Sequence, residues 1–201
     1  MLDKSVPHVK FLMSRKKGAP SPVYDLPDGY KFALYKPGDE KSWAEIELSV
    51  LEFPDEGEAL EYFDKEYGPY IPALEERCLF IENDKGEKIA TSTAWWCCPE
   101  RCIPRLHWVA VKPQYQGLGL GKAVVSKVTR MMLELDGDTD FFLSTQTWSH
   151  RAVKIYEKFG YAIASEKKIC GAKNENAERA KAVLDSIYKN KIHYTSSAPS
   201  N

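Results

Sequence analysis

The sequence predicts a mixed α/β (α+β) domain, on three observations. Short apolar or alternating runs read as strands, and they are interleaved with runs whose apolar residues recur every three or four positions. The order they give is strand, two helices, three strands, helix, strand, helix, strand, with a further helix and a short strand at the end. At Val109-Ala-Val-Lys-Pro-Gln-Tyr-Gln-Gly-Leu-Gly-Leu-Gly-Lys122 an apolar strand runs into a glycine-rich turn and on into a long helix. With 201 residues, 43% of them hydrophobic, the chain can bury a sizeable core in one domain.

Residues 1–29 read as an N-terminal arm, broken by Pro7, Pro20, Pro22 and Pro27, with His8 to Met13 as a candidate extra strand. The domain is expected over 30–194. Tyr30 to Tyr35 alternates as a strand. Glu40 to Leu51 reads as a helix with Trp43, Ile46 and Val50 on one face. Glu56 to Tyr67 reads as a second, grouping Ala59, Tyr62 and Phe63, and Gly68-Pro69 and Pro72 end it. Cys78 to Ile81 and Ile89 to Trp96 are strands joined by the tight turn Asp84-Lys-Gly86. Leu106 to Val111 is the next strand, and Pro113 stops it because proline has no amide hydrogen to donate. From Leu120 a helix carries Val124, Val128, Met131 and Leu135 as a core stripe. Phe141 to Thr147 is a buried strand, Ser149 to Gly160 a short helix closed by a glycine, and Ala162 to Ile169 a strand. Asn174 to about Lys191 is expected to be helical, with Ala177, Ala180, Leu184 and Ile187 inward. Ile192 to Tyr194 is a candidate closing strand, and 195–201 a flexible Ser- and Pro-rich tail.

Strand, glycine-rich turn and helix N-terminus together aim free backbone N–H groups at one point, where an anion such as a diphosphate can sit. The nucleotide-binding P-loop does not fit: Gln116 stands where its first glycine belongs and Ala123 where its hydroxyl belongs. The dinucleotide fingerprint does not fit either, because the glycines at 117, 119 and 121 alternate. What remains is Gln116-x-x-Gly119-x-Gly121 directly after Val-x-Pro. It resembles the acetyl-CoA-binding motif of the GNAT superfamily of N-acetyltransferases, in which Gln or Arg is followed by two residues, Gly, one residue, and Gly or Ala. A second resemblance lies at Ser149-His-Arg-Ala-Val-Lys-Ile-Tyr-Glu-Lys-Phe-Gly-Tyr161. It shares Ala152, Tyr156, Glu157, Lys158, Gly160 and Tyr161 with the family pattern and departs at Ser149, where the family commonly has Asn. The wording around Leu106-His-Trp-Val-Ala-Val111 looks most like a bacterial branch of the family with unassigned substrate.

The resemblance implies a mostly antiparallel central sheet flanked by helices, with two strands splaying apart at the coenzyme site. The extra C-terminal helix is a departure from that pattern. It implies that backbone groups of Val109 and Val111, on either side of Ala110, hold the pantetheine arm. The loop residues Gln116, Gly117, Leu118, Gly119, Leu120, Gly121 and Lys122 would hold the diphosphate. Ser149, Ala152 and Tyr156 would border the cofactor on the short helix of the second motif. Tyr156 matches the family tyrosine that protonates the leaving thiolate, a task a phenol with a pKa of about 10 can do. A backbone N–H of the 109–111 strand would meet the oxyanion. His107 is the candidate base for the amine, with an ordinary pKa of about 6.5. Each has a plainer reading. Tyr156 falls in an apolar helical stripe with Ala152, Ile155 and Phe159, and strict strand alternation puts His107 on the face opposite Trp108. The family builds its acceptor pocket from the first two helices and their loop. Here that loop holds Glu52, Asp55 and Glu56, which suit either a cationic amine or a solvated helix start. Trp95, Trp96 and Trp148 are candidate pocket walls or core.

A net charge of −1 implies no broad nucleic-acid or membrane surface. No apolar run is long enough to span a bilayer, and the N-terminus lacks the apolar stretch of a secretory signal, so the expectation is cytoplasmic. Five cysteines occur, at 78, 97, 98, 102 and 170; their spacing does not match a zinc site, and they are expected to be reduced thiols with no metal. The expected activity is transfer of an acetyl group from acetyl-CoA to a primary amine of a small molecule or protein. The alternative is an acyl-CoA-binding sensor without catalysis. Monomer and homodimer both stay open.

Overall fold

The computed structural model of the chain describes residues 2–97, 103–169 and 171–188 and the backbone of 194–195. The strands are β1 Lys10–Arg15, β2 Tyr30–Leu34, β3 Cys78–Asn83, β4 Lys88–Cys97, β5 Ile103–Val111, β6 Phe141–Gln146, β7 Tyr161–Ala164, β8 Lys168–Ile169, β9 Ala172–Lys173 and β10 Tyr194–Thr195. The helices are α1 Glu40–Ser49, α2 Glu56–Tyr67, α3 Ile71–Arg77, α4 Leu120–Asp136, α5 His150–Lys158 and α6 Ala177–Tyr188. This is the expected mixed α/β fold. The neighbouring strands whose pairing is described run antiparallel, except β5 with β6 and β7 with β10.

One compact unit comprises residues 23–95 and 106–134. Its strands lie in the order β5-β4-β3-β2, with Tyr30 opposite Asn83 and Leu79 opposite Ser92. Cys78, Leu79, Phe80 and Ile81 are all buried, as a strand covered on both faces requires. Helix α1 packs on α2 and turns Trp43, Ala44, Ile46 and Glu47 inward. Helix α4 buries Leu120, Val124, Val128 and Met131, but Leu135 is 42% exposed, so the stripe runs out a turn early. Helix α3 was hidden by proline. Pro72 reads as a stop, yet it sits in the first turn, where its missing N–H has no intrahelical partner to lose.

The other unit comprises residues 2–22, 96–105 and 135 onward. Its strands lie in the order β10-β7-β1-β6, and Arg105 of β5 stands in parallel register with Phe142. The extra strand expected at 8–13 is β1, shifted to Lys10–Arg15 and paired with both β6 and β7. Phe11, Leu12 and Met13 are buried, which suits its central place. The strand expected over 162–169 is divided. Tyr161–Ala164 stays with β1, while Lys168–Ile169 forms a separate hairpin with Ala172–Lys173. Asn174 begins no helix. It is buried, its Oδ1 accepts from the Leu12 amide at 2.9 Å, and its Nδ2 donates to the Ala164 carbonyl at 2.6 Å. These bonds replace the ladder partners that the divided strand loses. The closing strand is found at Tyr194–Thr195, parallel to β7, while its expected start at 192–193 and the tail beyond 195 lie outside the described residues.

Arg15 is 1% exposed and ties this unit together: Nε donates to the Phe159 carbonyl at 3.1 Å, Nη2 to the Ala19 carbonyl, and Nη1 lies 3.6 Å from Asp138. Gly160 follows α5 with φ +81, and a Cβ there would stand 2.6 Å from the Ala19 Cβ. Gly160→Ala therefore combines left-handed strain with a clash. It should cost about 2 kcal/mol and lower Tm by roughly 4–8 °C in a thermal melt.

Candidate active site

The glycine loop lies wholly in the first unit. Strand β5 ends at Val111, where the Lys112 amide still donates to the Ile89 carbonyl at 2.9 Å. A single turn at Pro113–Tyr115 follows, and Gln116 closes it twice. Its amide donates to the Pro113 carbonyl at 3.2 Å and its Nε2 to the Val111 carbonyl at 2.8 Å. Gly117 and Gly119 both adopt φ +86, and a Cβ on either would meet nothing within 4 Å. The loop is thus an exposed left-handed path beside open space, which only glycine follows without strain. The amides of Lys122 and Ala123 return to the Gly119 carbonyl. Among the described residues, no group accepts from the amides of Gly117, Leu118, Gly119, Leu120 or Gly121. Those five are the donors left for an anion, although Leu120 is itself buried. Gln116 and Lys122 spend their amides within the loop. No acidic residue stands in the first turn of α4 to compete for the positive helix end. This donor set, on a 17-residue helix, fits the diphosphate of coenzyme A.

Three residues upstream of the end of β5 the backbone departs from a strand. Trp108 has φ +47, left-handed and strained for a bulky residue. This breaks the two-residue alternation, so His107 and Trp108 do not face opposite sides. Their rings lie 5.6 Å apart. Both join aromatic rings from the helices. Trp43 stacks on Tyr62 at 6.2 Å, Trp108 meets Tyr62 at 5.1 Å edge-on, and Phe53 meets Trp108 at 5.2 Å. His107 is 4% exposed, with Nε2 3.3 Å from the Tyr62 hydroxyl and Nδ1 2.9 Å from the Tyr67 hydroxyl. Burial pushes the Tyr67 phenol well above its ordinary range, so Tyr67 stays protonated.

The Tyr62–His107–Tyr67 arrangement escaped the sequence reading. Two residues five apart stand about 140° apart around a helix, so no periodicity pairs Tyr62 with Tyr67. Only a ring placed between them does.

The carboxylates of the α1–α2 loop divide. Asp55 caps α2, accepting from the Glu58 amide at 2.9 Å, and Glu56 is exposed in the first turn. Both serve the helix start. Trp95 packs against Tyr67 at 4.9 Å. In the second unit the Trp96 indole donates to Asp136 at 3.0 Å, and the Trp148 indole donates to the Val6 carbonyl at 2.8 Å. These three indoles are structural.

Tyr156 lies in the second unit, 6% exposed on α5, with its ring 6.2 Å from Tyr161. The inward residues of that helix are His150, Val153 and Tyr156, whereas Ala152 is half-buried. Ser149 holds the N-cap position without a side-chain capping bond. The segment Asp3 to Val9 braces the turn before α5. The Asp3 amide donates to the Trp148 carbonyl at 2.9 Å, and the Val9 amide to Thr147 Oγ1 at 3.0 Å.

Burial pushes the Cys78 thiol up to about 12, so it is no nucleophile. Cys97 is disulfide-bonded, which corrects the expectation of reduced thiols throughout; spacing along a chain does not give the spatial proximity that decides pairing. Among the described residues no cluster of His, Cys, Asp or Glu could hold a metal ion, and no helix is long and apolar enough to cross a membrane.

The family model for the acetyltransferase (GNAT) family matches residues 41–161, more than half of the chain. The chain belongs to that family. It is similar to a thialysine N-epsilon-acetyltransferase from Sus scrofa, 34% identical over 55 residues, which are 27% of this chain and 32% of the relative. Its fold is similar to that of a GCN5-related N-acetyltransferase from Sphaerobacter thermophilus, with TM-score 0.63, 19% identity, and 79% of this chain matched to 49% of the other. A GNAT-family acetyltransferase from Colwellia psychrerythraea gives TM-score 0.58 and 15% identity over 78% of this chain and 54% of the other. The chain thus spans about a third of the curated relative and about half of these structures.

Glu47 stands one turn after Trp43 on the inward face of α1. It is 1% exposed, and among the described residues its Oε1 has no partner. Burial, reinforced by the nearby Glu52 charge, raises its pKa well above 4.5. The folded state then holds this proton more tightly than the unfolded chain. Stability falls as pH climbs above the ordinary glutamate value and goes on falling until the buried carboxyl ionises. Glu47→Gln should match the wild type near pH 4, exceed it in Tm by a few degrees near pH 8, and flatten the decline between them in melts across pH.

Proposed function

We propose that the chain is an N-acetyltransferase that moves an acetyl group from acetyl-CoA to a primary amine. The observation that carries this reading is the run of five unpaired amides from Gly117 to Gly121 at the start of α4. Acetyl-CoA supplies the activated acetyl group. The five amides grip the diphosphate, with the loop side of Gln116 and Lys122 beside it. The backbone of Val109, Ala110 and Val111 lines the pantetheine and presents an N–H to the oxygen that gains charge. Tyr156, bordered by Ser149 and Ala152, donates the proton that the departing thiolate needs. His107 supports removal of a proton from the amine, which must be neutral to attack. The half-buried rings of Phe53, Tyr62 and Trp108, backed by the buried Trp43, suit an alkylammonium carrier by cation–π attraction. The Sus scrofa relative is named for the ε-nitrogen of thialysine. Thialysine and lysine therefore head the panel of amines.

Thiol release from acetyl-CoA over that panel tests the reading. Turnover by the wild type, with Tyr156→Phe slower by about 100-fold and CoA binding retained, is expected. CoA binding without turnover of any amine would leave an acyl-CoA-binding module instead. A second test concerns the loop. Aspartate tolerates left-handed backbone and brings negative charge, so Gly119→Asp should fold, yet lose the rise in Tm that saturating CoA gives the wild type.

A further inference from the structure

His107 offers no open nitrogen to a substrate. Its ring is 4% exposed, and each nitrogen faces a phenol: Tyr62 at 3.3 Å from Nε2 and Tyr67 at 2.9 Å from Nδ1. Tyr67 is fully buried, whereas Tyr62 is half-buried and packs against Phe53 of the α1–α2 loop and Trp108 of β5. An amine that met this group would reach the Tyr62 hydroxyl first. We propose that Tyr62 is a catalytic residue that takes the proton of the acceptor ammonium on its oxygen while passing its own hydroxyl proton to His107 Nε2, with Tyr67 as the positioning residue that holds the imidazole by Nδ1. This rests on the acetyltransferase reading above and names the route by which that reaction frees its nucleophile.

The transfer balances. One N–H bond of the ammonium breaks and an O–H bond forms on Tyr62. The original O–H of Tyr62 breaks and an N–H forms on His107. Tyr62 ends unchanged, the amine ends neutral, and the positive charge ends on the imidazole. Hydroxyls suit both positions because each can donate or accept. Before transfer, Nδ1–H donates to the Tyr67 oxygen and Tyr62 O–H donates to Nε2. After transfer, both nitrogens donate and both phenol oxygens accept, so neither imidazole N–H is orphaned. The charged ring then lies among aromatic faces, with Trp108 at 5.6 Å and Tyr67 at 5.8 Å between centroids. The titratable groups bearing on the trio are Glu66 and Cys78, which act on Tyr67, and Glu47 of α1, which acts on Cys78. Burial keeps the Cys78 thiol protonated near neutrality, and it raises the pKa of the Glu47 carboxyl.

Kinetics of the full chain with acetyl-CoA and its best amine, across pH, test the relay in wild type, Tyr62→Phe, His107→Gln and Tyr67→Phe. Near pH 7, Tyr62→Phe and His107→Gln should each lose about 100-fold in kcat/KM for the amine, with KM for acetyl-CoA unchanged. The double variant should be no slower than either single one, because both act on one step. The deficit should vanish above the amine's own pKa, where solvent delivers neutral amine. Tyr67→Phe should displace the rising limb of the pH profile without abolishing it. A wild-type profile for Tyr62→Phe, a deficit equal at every pH, or losses that multiply in the double variant would overturn the relay alone. Absence of turnover on every amine would overturn the acetyltransferase reading and the relay with it. Nitrogen NMR of the imidazole, assigned through His107→Gln, gives a measurement independent of activity. The neutral ring should carry its proton on Nδ1, and a proton on Nε2 overturns the proposal.

Discussion

A helix cannot pair the N–H groups of its own first turn, and here the chain leading into α4 leaves those of Leu120 and Gly121 without an acceptor among the described residues. Most helix starts meet this shortage with a serine, threonine or aspartate cap. This one is led into by Gly117 and Gly119, both in the left-handed backbone region. The loop keeps that shape because both of its ends are held. Gln116 is bonded once to the end of β5 and once to the turn at Pro113, and α4 is pinned to the core by Leu120, Val124 and Val128. A concentration of unpaired donors on a rigid support is a demand for an anion. The acetyl-CoA chemistry proposed for the chain follows from it.

The second constraint is the left-handed residue within β5. A regular strand would send His107 and Trp108 to opposite faces and separate the histidine from the indole. The kink at Trp108 turns both toward α1 and α2, where Trp43, Tyr62 and Tyr67 meet them. Strain at one residue is held in place by aromatic packing on several sides, the condition under which strained backbone persists. The same cluster buries Glu47 without a partner for one oxygen.

The elements most legible in the sequence were those whose pattern is local. The helix carrying Val124 and Val128 announces itself by its spacing, and the turn before it by its glycines. The readings that changed depended on partners far along the chain. Pro72 looks like a stop until the position of the preceding turn puts it at the start of a new helix. The run after Tyr161 reads as one strand, but β1 pairs only with Tyr161–Ile163. Asn174, polar and next to a helical pattern, reads as a helix start, yet its amide is needed by Leu12, Ala164 and Glu166. In each case a bond to a distant segment outweighed a local preference.

By itself, the sequence determined the family, the mixed α/β order and the place of the glycine turn before α4. Each of these depends on residue types at short, fixed separations: glycines two apart, apolar residues three or four apart, a proline without an amide hydrogen. Only tertiary structure decided which loop amides stay unpaired, because that depends on where Gln116 and Lys122 send theirs. It alone brought Tyr62 and Tyr67 to opposite sides of His107. Five residues along a helix point in different directions, and only a third group packed between them makes them neighbours.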